Sequence, residues 1–509
     1  MAMAIPRPRR LLRAVGVDIP GALNLVGSLV KYLSLAFVFP AAVALAFDEP
    51  AWPFLVAGAA TLVFGVVLER LTRGRERIGS REGYLVVSLL WLLVAAFGAL
   101  PYVLAEPQLD RPVDALFESM SGFSTTGSSV VGQVGDLPRS MAMWRQFTAW
   151  IGGVGIIVLF LAVLPRLRVG GRQALFKSEM PGPELPLAAS IRQTARRFFA
   201  LYLAFTALEM AILAVLGWTG LDPRMTTFDA VAHAFTTVAT AGFSPQPRSL
   251  DPFAPVTQWT VAVFMLLAGT NFALLYACVV LRRPRLLVRD EEVRVGLALL
   301  ALASVIVVVA LLDAGALEGA AALRHGVFNT ISMMTTTGFV ADDFNHWPAV
   351  TTYVLFGVVL IGASAGSTSG SIKLVRHLVI AKMLRREIDQ TVHPEVVRPL
   401  RVNGNVVDER ALRAIIVFVF IHLGVCAAGA TILLLESTLH GLELSPFQSI
   451  AISTSVLGGA GPGLGFAGPM GSFEPFSDVS TLVLTALMYL GRLEIVPVLV
   501  LFTTSHWRA

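Results

Sequence analysis

Ten apolar runs, each about the 20 residues a helix needs to cross a bilayer, dominate this chain: 22–47, 53–69, 83–104, 141–164, 197–218, 256–281, 295–313, 347–372, 412–436 and 479–504. Hydrocarbon offers no partner for peptide N–H and C=O groups, so each run must satisfy its own backbone as a helix. An all-α polytopic membrane protein is therefore expected. Composition agrees, since 55% of the 509 residues are hydrophobic and 14% charged, against roughly 25% charged in a soluble domain. A mean hydropathy of +0.72 over the whole length excludes a single anchor on a soluble body. Cys278 and Cys426, the two cysteines, sit inside apolar runs and provide neither a disulfide framework nor a zinc cluster.

Lys and Arg set the orientation. Alternate loops collect thirty-one of them on one side, beginning with Arg7, Arg9, Arg10 and Arg13, and six on the other: Arg111, Arg139, Arg145, Arg224, Arg248 and Arg324. Lys31 and Arg492 fall within spans. The positive-inside rule places both termini in the cytoplasm. The arm before Gly21 lacks a short apolar core with a cleavage site, so the first span is expected to stay.

Between the spans lie four shorter, semi-polar stretches, 114–126, 229–241, 324–337 and 445–457, all on the outer side and too short to cross. Each ends at a glycine among small residues: Thr125-Thr126-Gly127-Ser128, Thr240-Ala241-Gly242, Thr336-Thr337-Gly338, and Gly459-Ala460-Gly461. Asp114 and Asp229, read as helix caps, stand thirteen positions before Gly127 and Gly242, and His325 has that offset from Gly338. The fourth cap, Ser445, followed by Pro446, precedes Gly461 by sixteen. Either that helix is one turn longer, or Gly458 is the counterpart glycine.

A short helix that enters from outside and stops at mid-membrane points the negative end of its dipole at the protein's centre, where a cation is attracted. The glycine after it opens backbone conformations that let successive carbonyl oxygens face one way and replace a cation's water. Irregular backbone at that depth must be buried or line a wet path. None of the four loops carries a carboxylate, which favours a dehydrated monovalent cation over a divalent one. The expected fold is two amino-terminal spans followed by four repeats of span, pore helix, filter loop and span, arranged as a pseudo-tetrameric pore. Its parts are an arm over 1–20, extra spans over 21–82, and repeats over 83–170, 190–285, 293–390 and 408–509.

Several strings are specific. They are Trp150-Ile151-Gly152-Gly153-Val154-Gly155-Ile156-Ile157, Thr335-Thr336-Thr337-Gly338-Phe339, Gly461-Pro462-Gly463-Leu464-Gly465, the run Gly362 to Arg376, and Gly491-Arg492-Leu493-Glu494. On these the chain resembles the TrkH/TrkG/KtrB superfamily of potassium uptake proteins over nearly its whole length, and its TrkH branch in having two extra spans. The resemblance implies potassium uptake through one filter in a bacterial inner membrane, a homodimer, and a cytosolic ring of TrkA-type nucleotide-binding subunits that gates it. The departures are Gly458-Gly459, where TrkH proteins commonly carry paired asparagines, and Ala241, at a position often more polar.

The run 362–371, with Gly362, Gly366 and Gly370 among Ser364, Ser367, Thr368, Ser369 and Ser371, should break its span midway. It is read as an intramembrane gating loop beneath the filters, the alternative being a packing kink. Arg492, deep in an apolar span, costs at least about 2.5–3.5 kcal/mol unpaired. Either it bonds the 362–371 loop and holds it shut, or it pairs with a buried carboxylate such as Glu118 or Glu209. Lys373 either joins that gate or snorkels to the cytoplasmic interface. His233 and His325 read as hydrogen-bonded structural residues with a possible proton-linked role as the alternative. The basic segments 165–197 and 374–411, rich in breakers (Pro181, Pro183, Pro186, Pro394, Pro399), are docking surface for a partner or anionic lipid, or simply solvated. No paired carboxylate, His-x-x-Glu-His or Ser-Lys dyad appears, so an enzyme is not expected, and no glycine loop for a nucleotide follows a strand. No cofactor is expected beyond the transported potassium, and no nucleic acid as partner. The competing function is a proton- or sodium-coupled transporter (symport) of a small solute, whose inverted repeats would place broken helices on opposite sides.

Overall fold

The computed structural model describes residues 17–72, 79–162, 191–395 and 399–507. The arginines of the amino-terminal arm, Pro181, Pro183, Pro186, most of the basic segment after the first repeat, and Arg508 lie outside these. Among the described residues the chain is helical apart from one hairpin, Arg401–Val402 paired antiparallel with Asn405–Val406. Among the described residues six helices are long and apolar enough to cross a membrane, or seven if the bent pair Pro255–Ala268 and Phe272–Val279 counts as one. Leucines and valines exposed on these helices, such as Leu297, Leu302 and Val305 on Glu291–Asp313, make the outer surface that lipid covers. The protein is an integral membrane protein.

The two amino-terminal helices cross tightly and pack on the first repeat. Trp144, fully buried, stacks on Phe37 with ring centroids 4.8 Å apart and donates its indole N–H to Gly98 O at 3.0 Å. Within each repeat a long first helix is followed by a short helix and then by a second helix. The short helices are Pro112–Phe123, Thr227–Val238, Gly319–Met334 and Pro446–Gly458.

Three returning helices are broken, where the apolar runs led us to expect one. The run 256–281 bends by 107° at Gly269-Thr270-Asn271, with Asn271 capping the new helix through Ala273 and Leu274 N–H. The run 347–372 stops at Ile361 and continues as a loop to Lys373. The helix Asp478–Arg492 ends before Glu494 and Ile495, both left-handed at φ +58° and +57°. One loop links the three. Gly269 O accepts from Ser364 N–H, Phe272 N–H donates to Gly366 O, and Arg492 donates to Thr368 O, so the loop from the third repeat occupies openings in the second and fourth. In the second repeat the chain forgoes helical hydrogen bonds and replaces them with backbone bonds to the inserted loop, whereas in the fourth the backbone of 493–496 bonds back to its own segment and the Arg492 side chain alone reaches the loop.

Candidate functional site

The four loops share one backbone conformation. Thr125, Thr240, Thr336 and Gly459 are left-handed at φ +56°, +51°, +55° and +72°, and two residues on Gly127, Gly242, Gly338 and Gly461 have φ +82°, +69°, +81° and +99°. Each middle residue donates its N–H five residues back to the end of its short helix: Thr126 to Ser121 O, Ala241 to Thr236 O, Thr337 to Ser332 O and Ala460 to Ser455 O, at 2.8–2.9 Å. Four unrelated stretches meeting the same bond and the same signs of φ are in register.

That register corrects the expectation about caps. Asp114 and Asp229 are not caps but third residues of their helices, and Asp229 completes a capping box with Thr226. The caps are Arg111, Thr226 and Ser445, each sixteen positions before its glycine (111 to 127, 226 to 242, 445 to 461). The fourth helix thus starts at the same offset as the first two and runs one residue longer, not a turn longer, and Gly461, not Gly458, matches the other glycines. The long one is the third, capped at Glu318, in which His325 lies mid-helix.

The loops close into a ring. A Cβ built on Gly127 would lie 1.9 Å from Ala241 O, one on Gly242 2.1 Å from Thr337 O, one on Gly338 1.8 Å from Ala460 O, and one on Gly461 2.5 Å from Thr126 O. Each repeat's glycine therefore faces the carbonyl of the next repeat, and the fourth returns to the first. Only glycine fits, for its missing Cβ and its positive φ together. Ser128 is fixed differently, donating its hydroxyl to Gly461 O at 2.8 Å. The helices behind the ring also need glycine, since a Cβ on Gly152 or Gly491 would fall about 2 Å (2.1 and 2.0 Å) from Phe123 O or Leu457 O, where short helices end.

The ring is two-fold more than four-fold in its hydroxyls. Ser124 and Thr126 Oγ atoms are bonded at 2.7 Å, as are Thr335 and Thr337 at 2.8 Å. The second and fourth repeats carry Ala239 with Ala241 and Gly458 with Ala460 at these positions and cannot form the pair.

Sequence reasoning missed the braces behind the loops. Nine residues before the glycines stand Glu118, His233, Asn329 and Ile452. Glu118 accepts from Val130 N–H, Ser129 Oγ and Arg145 Nε (2.6 Å), fully buried, while Arg145 also lies 4.3 Å from the Phe243 ring centroid. His233 contacts Ser244 Oγ at 3.1 Å, and Asn329 Oδ1 accepts from Ala341 N–H at 3.1 Å. Ile452 contributes packing only. The constant offset was the available signal. Arg145, counted with the outer loops in the sequence, is buried, and with Arg376 and Arg492 it makes three buried arginines among the described residues.

Below the ring lies the 362–373 loop. Its Thr368 hydroxyl donates to Val238 O and Ala268 O (both 3.2 Å) and lies 3.2 Å from Thr240 Oγ1, Gly370 N–H donates to Thr336 Oγ1 at 2.8 Å, and a Cβ on Gly370 would lie 2.2 Å from Gly458 O. Ser367, Thr368, Ser369 and Ser371 are buried, with Ser367 Oγ bonded to Ser364 O and to Ser369 Oγ. Gly362 and Gly366 are left-handed at φ +70° and +74°. Arg492 donates to Thr368 O at 3.2 Å and to Gly152 O at 2.8 Å; Glu118 pairs with Arg145 instead. Glu494 lies past the end of the helix Asp478–Arg492 and accepts from Arg376 at 2.7 Å. Lys373 is buried, not snorkelled, and lines a small pocket under the ring together with Thr125, Gly459, Ser371, Arg492 and Glu494. No group of acidic, cysteine or histidine side chains suited to a bound metal occurs among the described residues.

Residues 53–508 match the family model TrkH, described as a cation transport protein. The Trk system potassium uptake protein TrkH of Salmonella typhimurium is 33% identical over 500 residues, covering 95% of this chain and 98% of that one. TrkG of Escherichia coli, of the same system, is 31% identical, covering 96% and 98%. The crystal structure of the potassium transporter TrkH from Vibrio parahaemolyticus superposes with a TM-score of 0.85 at 30% identity, covering 96% of this chain and 99% of that one. The relatives are transporters, and this chain is not an enzyme. With the motifs, the fold and the length all in agreement, the chain belongs to the TrkH family of cation transport proteins.

Proposed function

We propose that this protein takes up potassium across the cell membrane through one central filter formed by Thr125–Ser128, Thr240–Gly242, Thr336–Gly338 and Gly459–Gly461. The observation that carries the reading is the ring of close approaches, in which four glycines and four carbonyls from four repeats meet in cyclic order. Backbone carbonyls at the negative ends of four short helices replace a monovalent cation's hydration without a carboxylate. The names of the relatives, potassium uptake proteins, support the choice of ion.

The 362–373 loop is the gate. It bonds to Thr240 and Thr336 at the inner ends of two filter loops and is held by Arg492, whose charge below the ring also opposes a passing cation. A cytosolic nucleotide-binding subunit of the TrkA type opens it, in keeping with relatives named as parts of a Trk system. The protein works as a homodimer in a bacterial inner membrane with both termini cytoplasmic, the side that the basic loops favour.

The test is cation flux from the purified chain in potassium-loaded liposomes, comparing potassium, rubidium, sodium and lithium with and without a proton gradient. Potassium and rubidium flux without a coupling gradient is expected. Flux that appears only with a proton or sodium gradient replaces the channel-like mechanism with symport.

A further inference from the structure

The span Glu291–Asp313 starts on the cytoplasmic side with three consecutive acids, and each turns to a different element. Asp290 caps the helix through Val293 N–H at 2.9 Å and accepts from Asn403 Nδ2 at 2.9 Å. Glu291 gives its N–H to Asn403 Oδ1 at 2.8 Å, and its carboxylate takes the Lys382 ammonium, which also donates to Arg401 O. Glu292, 5% exposed, reaches the other way and accepts the N–H of Ala365, in the middle of the 362–373 loop, at 2.8 Å.

Asn403 and Gly404 form the two-residue turn of the hairpin, left-handed at φ +48° and +81°, the geometry that an Asn-Gly pair favours. The hairpin is anchored by Val402, buried with Leu400 and Val407 against Val379, Leu412 and Ile415. Lys382 and Val379 belong to Leu374–Val392, the helix that continues the loop. The loop is thus tied to one knot twice, at its middle through Glu292 and at its end through Lys382, and the knot is clasped by the hairpin.

We infer that Glu292 is a positioning residue that latches the 362–373 loop under the ring, and that the Asn403 hairpin is its handle on the cytoplasmic side. The inference rests on reading that loop as the gate. A displaced hairpin carries Asp290 and Glu291 with it, and the first turn of the span draws Glu292 off Ala365. The buried N–H then lacks its carboxylate acceptor, and the closed loop loses a charge-assisted hydrogen bond.

The experiment is basal potassium flux of the full chain in liposomes with no partner added, normalised to the amount of monodisperse protein, for Glu292→Ala, Glu292→Gln, Glu292→Asp, Asn403→Ala and Arg492→Ala. Glu292→Ala is expected to raise basal flux roughly tenfold, the scale of one charge-assisted hydrogen bond. Glu292→Gln retains an oxygen acceptor and is expected to restore closure. Glu292→Asp keeps the charge but shortens the reach, and is expected to leak, as is Asn403→Ala to a smaller degree. Wild-type basal flux from both Glu292→Ala and Glu292→Asp, alongside a leaking Arg492→Ala, overturns the latch and leaves the gate. Leak from Glu292→Gln equal to that of Glu292→Ala also overturns it, and silent Asn403→Ala overturns the handle. No potassium flux from any folded variant, Arg492→Ala included, strikes the gated-pore reading itself.

Discussion

Replacing Gly338 by alanine tests the ring most directly. The position is left-handed at φ +81°, where an L-residue costs about 1–2 kcal/mol. The new Cβ would also stand 1.8 Å from Ala460 O and 2.9 Å from Pro462 Cδ, so to reach 3.0 Å the carbonyl must retreat by about 1.2 Å. Functional constellations tolerate about 0.5 Å. A carbonyl moved that far forfeits a charge–dipole contact of about 1.5–3 kcal/mol with the ion, so potassium preference over sodium should fall at least about tenfold. The strain alone leaves protein that is still made. Relative potassium and sodium uptake in liposomes, at matched protein amounts, reads the effect. Gly461→Ala, with 2.5 Å to Thr126 O, should be milder. Gly357→Ala and Gly424→Ala, on helices with nothing within 4 Å of the new Cβ, should keep wild-type uptake and gain about 1 kcal/mol of helix propensity. Unchanged potassium preference and rate in well-made Gly338→Ala refutes the claim that these carbonyls touch the ion.

Arg492→Ala should raise basal potassium flux, because it frees Thr368 O and removes a positive charge beneath the ring; unchanged flux with reduced protein yield assigns the arginine a purely structural role. Arg145→Met leaves Glu118 buried and uncompensated, at a cost of about 3–5 kcal/mol, and should lower the Tm in detergent sharply, with much of the loss recovered in Arg145→Met with Glu118→Leu; an unaltered Tm in the single variant contradicts the brace. Glu106, buried where the helix Ser80–Ala105 ends, has its carboxyl pushed up by burial, against a smaller opposing bond from Gln108 N–H. Folding then favours its protonated form, so its contribution is fully present below the ordinary carboxyl range and is lost as pH rises through the raised value. Glu106→Gln should therefore exceed the wild type in Tm near pH 7 (about 7) and lose that advantage near about pH 4, where Glu is half protonated in the unfolded chain; a pH-independent gap counts against it.

The ring's corners are unequally supported. Middle positions alternate Thr126, Ala241, Thr337 and Ala460, so hydroxyl pairs stiffen the first and third loops but not the second and fourth. The braces follow another pattern, an ion pair, a histidine and an amide behind three loops and plain packing by Ile452 behind the fourth. The fourth loop is held by Ala460 N–H on Ser455 O, by the Ser128 hydroxyl on Gly461 O and by Asn345, which both donates to and accepts from Gly465 at 3.0 Å.

Membrane residence, all-α architecture, four inward stretches and their glycines are determined by the sequence alone, because they follow from local composition: twenty apolar residues in hydrocarbon have one way to satisfy their backbone, and a left-handed turn asks for glycine wherever it occurs. The register of the fourth loop was present too, in the spacing from Ser445 to Gly461, but it became legible only once the caps of the other helices were located at Arg111 and Thr226. What only the tertiary structure decided depends on residues far apart in the chain. The break at Gly269–Asn271 has no strong helix-breaker run in sequence, and its freed backbone groups are taken up by the loop at 362–373, which also receives the Arg492 side chain beside the break at Leu493–Ile495. The partners of Arg492, Arg145 and Glu292 likewise lie 124, 27 and 73 residues away, at Thr368, Glu118 and Ala365. A buried charge announces that it needs a partner; which partner it receives is fixed by how the four repeats close around their common ring.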